Sequence, residues 1–153
     1  MSYKIPVSVL VVIHTPTLDV LLLERAKQPG LWQSVTGSME QGESLLHTAQ
    51  REVLEETGID ASLSDFKAWN VVNNFRISLT PERFSPDVTH NQEHVFSLCV
   101  PSVTPIQLAP DEHLAYRWLP YCDAATACFS WSNRDALLML PLTLKLPLQP
   151  ITL

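Results

Sequence analysis

Glu52, Glu55 and Glu56 stand close together in the run Arg51-Glu52-Val53-Leu54-Glu55-Glu56. The pattern predicts a helix over residues 44–57, with Ser44 capping its start and Gly58 stopping it in the left-handed conformation. At ~100° per residue the three glutamates share an arc roughly 100° wide. That arc adjoins the apolar one made by Leu45, Leu46, Ala49 and Val53. Carboxylates so placed repel by about a few tenths of a kcal/mol per pair. Arg51 is the local compensating charge, since the nearest lysines are Lys27 and Lys67. Such a cluster can gather a hard divalent cation. Mg²⁺ takes a few carboxylate oxygens and completes its shell with waters and substrate phosphates. The plainer alternative is a solvated acidic helix face, with Arg51 and Glu43 as ordinary surface charges.

The chain that must position this cluster has 153 residues, enough for one domain. Apolar residues make up 46% and charged residues 17%, which excludes disorder and supplies a core. Acidic residues outnumber basic ones, 16 to 10, for a formal charge of −6. A broad basic footprint is therefore not expected, and nucleic acid is not an expected partner. An acidic protein that handles a phosphorylated substrate needs local cations. The three cysteines, Cys99, Cys122 and Cys128, form no C-x-x-C pair, so a reducing cytoplasm is the expected compartment. Residues 7–13 are apolar apart from Ser8 but read as a buried strand, not a signal peptide, and no run is long enough to span a membrane.

Strands are expected over residues 5–13 and 20–23, joined by the turn Thr15-Pro16-Thr17. A short strand is expected from Trp32 to Thr36, ending at Gly37, and further strands over residues 66–72, 95–100 and 115–119. Residues 76–92 read as a polar substrate loop. A second helix is expected over residues 132–139, with Ser132 or Asn133 at its cap. Leucines then alternate at every second position from Leu138 to Leu148, a pattern that predicts an edge strand or irregular extension with one apolar face. The expected division is one domain over residues 1–140 and a Leu/Pro-rich extension over 141–153. That extension drapes over its own domain or pairs two subunits, so a monomer or weak homodimer is expected.

The segment from Gly37 to Ile59, GSMEQGESLLHTAQREVLEETGI, resembles the Nudix box at every defined position: Gly37, Glu43, Arg51-Glu52-Val53, Glu55-Glu56 and Gly58-Ile59. Seven of these positions demand one residue type. At ~6% usage per type, chance agreement falls below about one in ten million per start position. The resemblance implies the Nudix fold, an α+β (α/β/α) sandwich with a mixed sheet between helices and the box as loop–helix–loop. It implies hydrolysis of a diphosphate linked to an organic group, with Mg²⁺ as cofactor and Mn²⁺ as a substitute. It implies Glu52 and Glu56 as principal metal ligands, Glu55 assisting, and Gly37 bringing a backbone carbonyl to the metal. Arg51 and Glu43 would pair to hold the loop on the helix. Metal ions neutralise charge building on phosphoryl oxygens and lower the pKa of bound water, and a carboxylate accepts the proton. Glu112, in Pro110-Asp111-Glu112-His113, is the candidate on a later loop for metal ligand or base, and Glu93 is its competitor.

Three further segments narrow the substrate: residues 32–38 (WQSVTGS), 112–119 (EHLAYRWL) and 130–134 (SWSNR). Many Nudix proteins have Pro-Gly-Gly where this chain has Thr36-Gly37-Ser38. The combination resembles a bacterial subfamily, the dihydroneopterin triphosphate pyrophosphatases of folate biosynthesis. This implies cleavage to dihydroneopterin monophosphate and pyrophosphate, with Lys4, Arg25, Thr36 and Ser130 lining the substrate site. Lys4 and Arg25 suit phosphate oxygens, and the two hydroxyls can hydrogen-bond a polar ring or the triphosphate. Phe75 or Trp131 can stack on a pterin. Two alternatives remain: a (deoxy)nucleoside triphosphate as substrate, and a Nudix-fold ligand sensor without catalysis, against which the three intact glutamates argue.

Overall fold

The computed structural model describes residues 3–77 and 81–145. Residues 7–13 are apolar almost without interruption because the strand they form is buried on both faces. This strand, β1 (Val7–His14), sits inside a mixed sheet. It runs parallel to β6 (His90–Cys99) on one side. On the other it runs antiparallel to β2 (Asp19–Arg25) and β4 (Val35–Ser38). Beyond β2 lie β3 (Trp32–Gln33) and β7 (His113–Pro120), and beyond β6 lies β5 (Phe66–Arg76).

Alternation along β1 divides the core in two. Val9, Val11 and Ile13 pack with Ala49 and Val53 of α1 (Leu45–Thr57), while Leu10 and Val12 pack with α2 (Tyr121–Ala127) and α3 (Trp131–Lys145). The sheet is thus covered on both faces, the expected α/β/α arrangement. Its organisation follows the Gly37–Ile59 segment: β4 delivers the chain to a loop, α1 follows, and the strands fix both.

Several local expectations need correction. The strand expected over residues 32–36 is two strands, β3 and β4, broken at Ser34. Asn133 causes the break: its Oδ1 accepts the Ser34 backbone N–H at 2.8 Å and its Nδ2 donates to Ser34 Oγ at 3.0 Å. Asn133 is therefore a clamp between α3 and the sheet, and Ser130 is the residue whose hydroxyl accepts the Asn133 backbone N–H at the helix start, at 3.2 Å. The polar loop is shorter than residues 76–92, because β5 extends to Arg76 and β6 begins at His90. Strand β5 continues beyond Val72 through an irregularity between Ala68 and Val72, where Asn70 takes φ 58°. Helix α2 has no counterpart among the expected elements.

The leucine alternation does not make a strand over residues 138–145, which belong to α3. Leu137 and Leu140 are buried while Leu138, Leu142 and Leu144 face solvent, so half of the alternating set lies on the outer side of a helix. Pro141 sits inside that helix. Thr143 Oγ1 donates to the Leu140 carbonyl at 2.8 Å, and Lys67 Nζ donates to the Thr143 carbonyl, so the helix end is tied back to β5. Residues 146–148 of the pattern lie outside the described residues. No helix among the described residues is long and apolar enough to cross a membrane.

Candidate active site

The loop–helix segment has both predicted caps. Ser44 Oγ accepts the His47 backbone N–H at 3.1 Å, and Gly58 takes φ 76° with its N–H on the Leu54 carbonyl. Between them Arg51 acts as a hub. Its Nε donates to Glu43 Oε2 at 2.6 Å and its Nη2 to Glu43 Oε1 at 3.1 Å, a two-point fork. Nη2 also donates to the Ser38 carbonyl at 3.0 Å, so one guanidinium ties the end of β4 and the loop to the helix. Glu43 Oε1 accepts two more bonds, from Thr48 Oγ1 at 2.8 Å and the Glu40 backbone N–H at 3.0 Å. The Arg51 fork, with these bonds, holds the Glu43 carboxyl down at about 2 and pushes the Arg51 pKa up. The sequence offered Glu43 and Arg51, and the structure adds Thr48 as a third member.

Arg51 Nη1 reaches the other side of the hub, donating to Glu52 Oε1 at 2.9 Å and Glu55 Oε2 at 3.3 Å. Here burial dominates. Desolvation raises the Glu52 pKa to about 7, against the opposing pull of Arg51. Glu56 is buried, and desolvation, with the charges of Glu52 and Glu112, pushes it up to about 9, while a hydrogen bond from the Thr36 backbone opposes this. Its Oε2 has no hydrogen-bond partner among the described residues. Glu55 is exposed beside them.

Residues distant in sequence join this cluster. Glu112 lies in the turn before β7, fixed by its carbonyl on the Ala26 N–H at 2.9 Å, and its charge acts on both Glu52 and Glu56. Lys4, just before β1, stands in the field of Glu52 and Glu112, though burial and the nearby Arg83 lower its pKa. The Lys4 N–H binds the Arg83 carbonyl at 2.8 Å. Sequence reasoning did not single out Arg83; its signal was a cation inside the polar loop.

The remaining candidates are more dispersed. Arg25 ends β2 with its guanidinium over the Phe129 ring, 5.3 Å from the centroid. Thr36 lies on β4, where Gln33 Nε2 approaches its hydroxyl at 3.4 Å. Ser130 spends its hydroxyl on the start of α3. Glu93 stands apart from the glutamate cluster. It shares a face of β6 with Val95, which packs in the core under α2 and α3, so the sheet separates it from α1.

Among the described residues no three His, Cys, Asp or Glu side chains are drawn together as a ready cage. Two observations nevertheless fit a divalent cation to Glu52, Glu56 and Glu112. One is the buried, unpartnered Glu56 Oε2, a costly state for a carboxylate that lacks a counter-charge. The other is Gly37. A Cβ there would lie 2.0 Å from Glu52 Cδ, so only glycine lets the strand backbone and this carboxylate approach so closely. The result is a backbone segment held against two shielded carboxylates, with the charge of the exposed Glu112 acting on both and on Lys4.

The chain matches the family model of the NUDIX domain over residues 4–139. It is 44% identical over 139 residues to the dihydroneopterin triphosphate diphosphatase of Escherichia coli (strain K12), covering 88% of this chain and 91% of that protein. The protein of the same name from Haemophilus influenzae is 36% identical over 141 residues, covering 90% and 88%. The solved structure of the E. coli dihydroneopterin triphosphate pyrophosphohydrolase superposes with a TM-score of 0.78 at 42% identity, covering 90% of this chain and 95% of that one. With the box geometry, these matches place the chain in the Nudix family of hydrolases.

Proposed function

We propose that this chain hydrolyses dihydroneopterin triphosphate to dihydroneopterin monophosphate and pyrophosphate, using Mg²⁺ held by Glu52, Glu56 and Glu112, with Glu55 assisting and the Gly37 carbonyl nearby. Nudix hydrolases generally use divalent metals such as Mg²⁺. The observation that carries the metal assignment is the buried Glu56 carboxylate with an unpartnered oxygen, set beside Glu52 and within the field of Glu112. The substrate assignment is supported by 44% identity across 88% of the chain to a protein named for that substrate.

The reaction adds water across the α–β phosphoanhydride. An O–P bond forms, the bridging P–O bond breaks, and the water's proton goes to a carboxylate. The cation supplies charge neutralisation on the phosphates and acidifies water. This chain's residues do the rest. Glu112, exposed at the cluster's edge, takes the later-loop role of metal ligand or proton acceptor. Lys4 meets phosphate oxygens, and Arg83 adds positive charge from the adjacent turn. Arg25, Thr36 and Ser130 complete the proposed substrate contacts. Arg51 holds the loop against the helix through Glu43 and the Ser38 carbonyl, so its role is to position Glu52.

Steady-state kinetics with dihydroneopterin triphosphate, nucleoside triphosphates, oxidised dGTP and ADP-ribose tests the assignment. The pterin should give the highest kcat/KM. A much higher value for an ordinary nucleotide would reject the pterin substrate and favour the nucleoside triphosphate alternative.

A further inference from the structure

The chain has only 10 Lys and Arg residues, and several of them are already engaged. Arg51 is the hub of the box, and Arg134 lies 3.8 Å from Asp135. Arg25 and Arg117 lie over the Phe129 and Trp32 rings. Lys4 and Arg83 are placed differently. Neither has an ion-pair partner among the described residues. The two cations nevertheless stand close enough for the charge of Arg83 to lower the Lys4 pKa. Like charges held side by side repel, and an anion bound between them turns that repulsion into attraction.

The fold holds this pair together by design of the backbone. Arg83 ends a single 3-10 turn, Pro81–Arg83, in the connection between β5 and β6. The Ile77 N–H closes the base of that connection on the Thr89 carbonyl at 2.9 Å. Phe84 points inward and is 9% exposed, so it anchors the turn, while Arg83 beside it is exposed. The Lys4 N–H on the Arg83 carbonyl, at 2.8 Å, ties the turn to the segment that enters β1. Lys4 Nζ lies over the Phe84 ring, 6.0 Å from its centroid. One buried ring therefore sits beneath both cations. Lys4 also stands in the field of Glu52 and Glu112, which places the pair at the border of the glutamate cluster. Arg25, by contrast, has the half-exposed Phe129 ring against it, with Ser130 next in the chain. The site thus has one pole of two cations and another where a cation meets a ring.

We infer that Arg83, together with Lys4, binds the two terminal phosphates of the substrate, the pair that leaves as pyrophosphate. This rests on the reading of the site as a triphosphate hydrolase and deepens it, by assigning a residue to the leaving group. The terminal phosphates carry most of the substrate's charge and no organic group. They are best met by charge-assisted donors, and the aromatic pole suits the organic end. A guanidinium offers a planar fork to two phosphate oxygens, and the lysine ammonium adds a compact point charge. As the bridging P–O bond breaks, negative charge grows on the leaving pyrophosphate. Fixed cations aimed at it strengthen their hold in the transition state, so Arg83 serves turnover as well as binding. A diphosphate joined at both ends to organic groups has no terminal phosphates for this pair to hold.

The probe is inorganic pyrophosphate. Its affinity for the Mg²⁺-loaded protein is measured by calorimetric titration at fixed free Mg²⁺, in wild type, Arg83→Ala and Arg83→Gln. Dihydroneopterin monophosphate, the other product, is titrated alongside. Pyrophosphate should bind about 10–100-fold more weakly in both variants, the scale of a hydrogen bond between charged groups. The monophosphate should bind as it does to wild type. The kcat/KM for dihydroneopterin triphosphate should fall by at least the factor lost for pyrophosphate, with an unchanged circular dichroism spectrum. Unaltered pyrophosphate affinity in the variants, or an equal loss for the monophosphate, would overturn the inference. If Arg83→Ala does not fold, Arg83→Gln, which keeps most of the side-chain length, decides. Weakened pyrophosphate binding in the variants, in a wild type that prefers nucleoside triphosphates, would reject the pterin substrate and leave the role of Arg83 standing. Pyrophosphate leaves from either substrate.

Discussion

Glu43 and Glu56 belong to the same loop–helix segment and live in opposite chemical states. Glu43 is saturated by the Arg51 fork, Thr48 and a backbone N–H, and its carboxyl is held at about 2. Glu56 is buried beside other carboxyl groups with one oxygen unpartnered among the described residues, and its carboxyl is pushed up to about 9. The loop end is complete within the protein. On the sheet-facing side of α1, by contrast, Glu56 Oε2 has no partner among the described residues. A family signature can thus combine a self-sufficient scaffold with a deliberately incomplete site, and the two should respond differently to mutation, pH and metal.

The sharpest break comes from Glu56→Gln, which removes the charge and keeps the shape. Turnover with Mg²⁺ should fall on the order of 10²–10³-fold, the scale of losing one electrostatic stabiliser. The melting temperature without metal at neutral pH should change little, because the protonated Glu56 and a glutamine are both uncharged and nearly isosteric. Full residual activity would contradict the metal assignment. Gly37→Ala places a methyl 2.0 Å from Glu52 Cδ and must push that side chain aside. Activity should drop about 10²-fold, as for a misplaced catalytic group, with the fold retained by circular dichroism.

The scaffold end should give the reverse balance. Arg51→Ala leaves Glu43 largely shielded and unpaired, a cost of about 2–3 kcal/mol for a partly buried pair, or roughly 4–12 °C in Tm. Activity should fall about 10–100-fold through the displaced loop. A thermal scan unchanged from wild type would show that the fork does not anchor the loop.

The smallest effect is in pH. Between 4.5 and about 9 the folded, metal-free chain keeps on Glu56 a proton that the unfolded chain has lost, and Glu52, at about 7, does the same over a narrower span. Stability should therefore decline as pH rises through this window. Burial depresses the pKa of His14 and His113, which adds an opposite slope below their ordinary value of 6.5, so pH 7 to 8.5 lies above the histidines, and the Mg²⁺-sensitive part of the slope there reports Glu52 and Glu56. Metal-free Tm should fall by a few degrees across that range, and saturating Mg²⁺ should flatten the slope. An equal slope with and without Mg²⁺ would separate these carboxylates from the metal.

The scaffold end was legible because its signals are local. Ser44, Glu43, Arg51 and Gly58 lie within sixteen residues, and periodicity and capping place them. Strand β1 was legible because burial on both faces leaves an unbroken apolar run. Other features depend on residues far apart. Asn133 breaks the sheet at Ser34 from 99 positions away, and nothing near either residue marks it. Helix α2 is seven residues with no side-chain cap, so it had no start signal. The leucine alternation misled because an exposed apolar face on α3 mimics period two, and Pro141 suggested a break that tertiary contacts prevent. Glu93 was visible as an acid, but only strand register shows which face of the sheet it occupies.

Calorimetric titration of the metal-free protein with Mg²⁺ at pH 7, in buffers of differing ionisation enthalpy, tests the incomplete site most directly. Glu56 is protonated at that pH and Glu52 about half so. Binding should therefore release roughly one proton or more per metal, since the ligand carboxylates must ionise. Glu56→Gln should bind more weakly and release fewer. Binding with no proton release, or unaltered in the variant, would contradict the account.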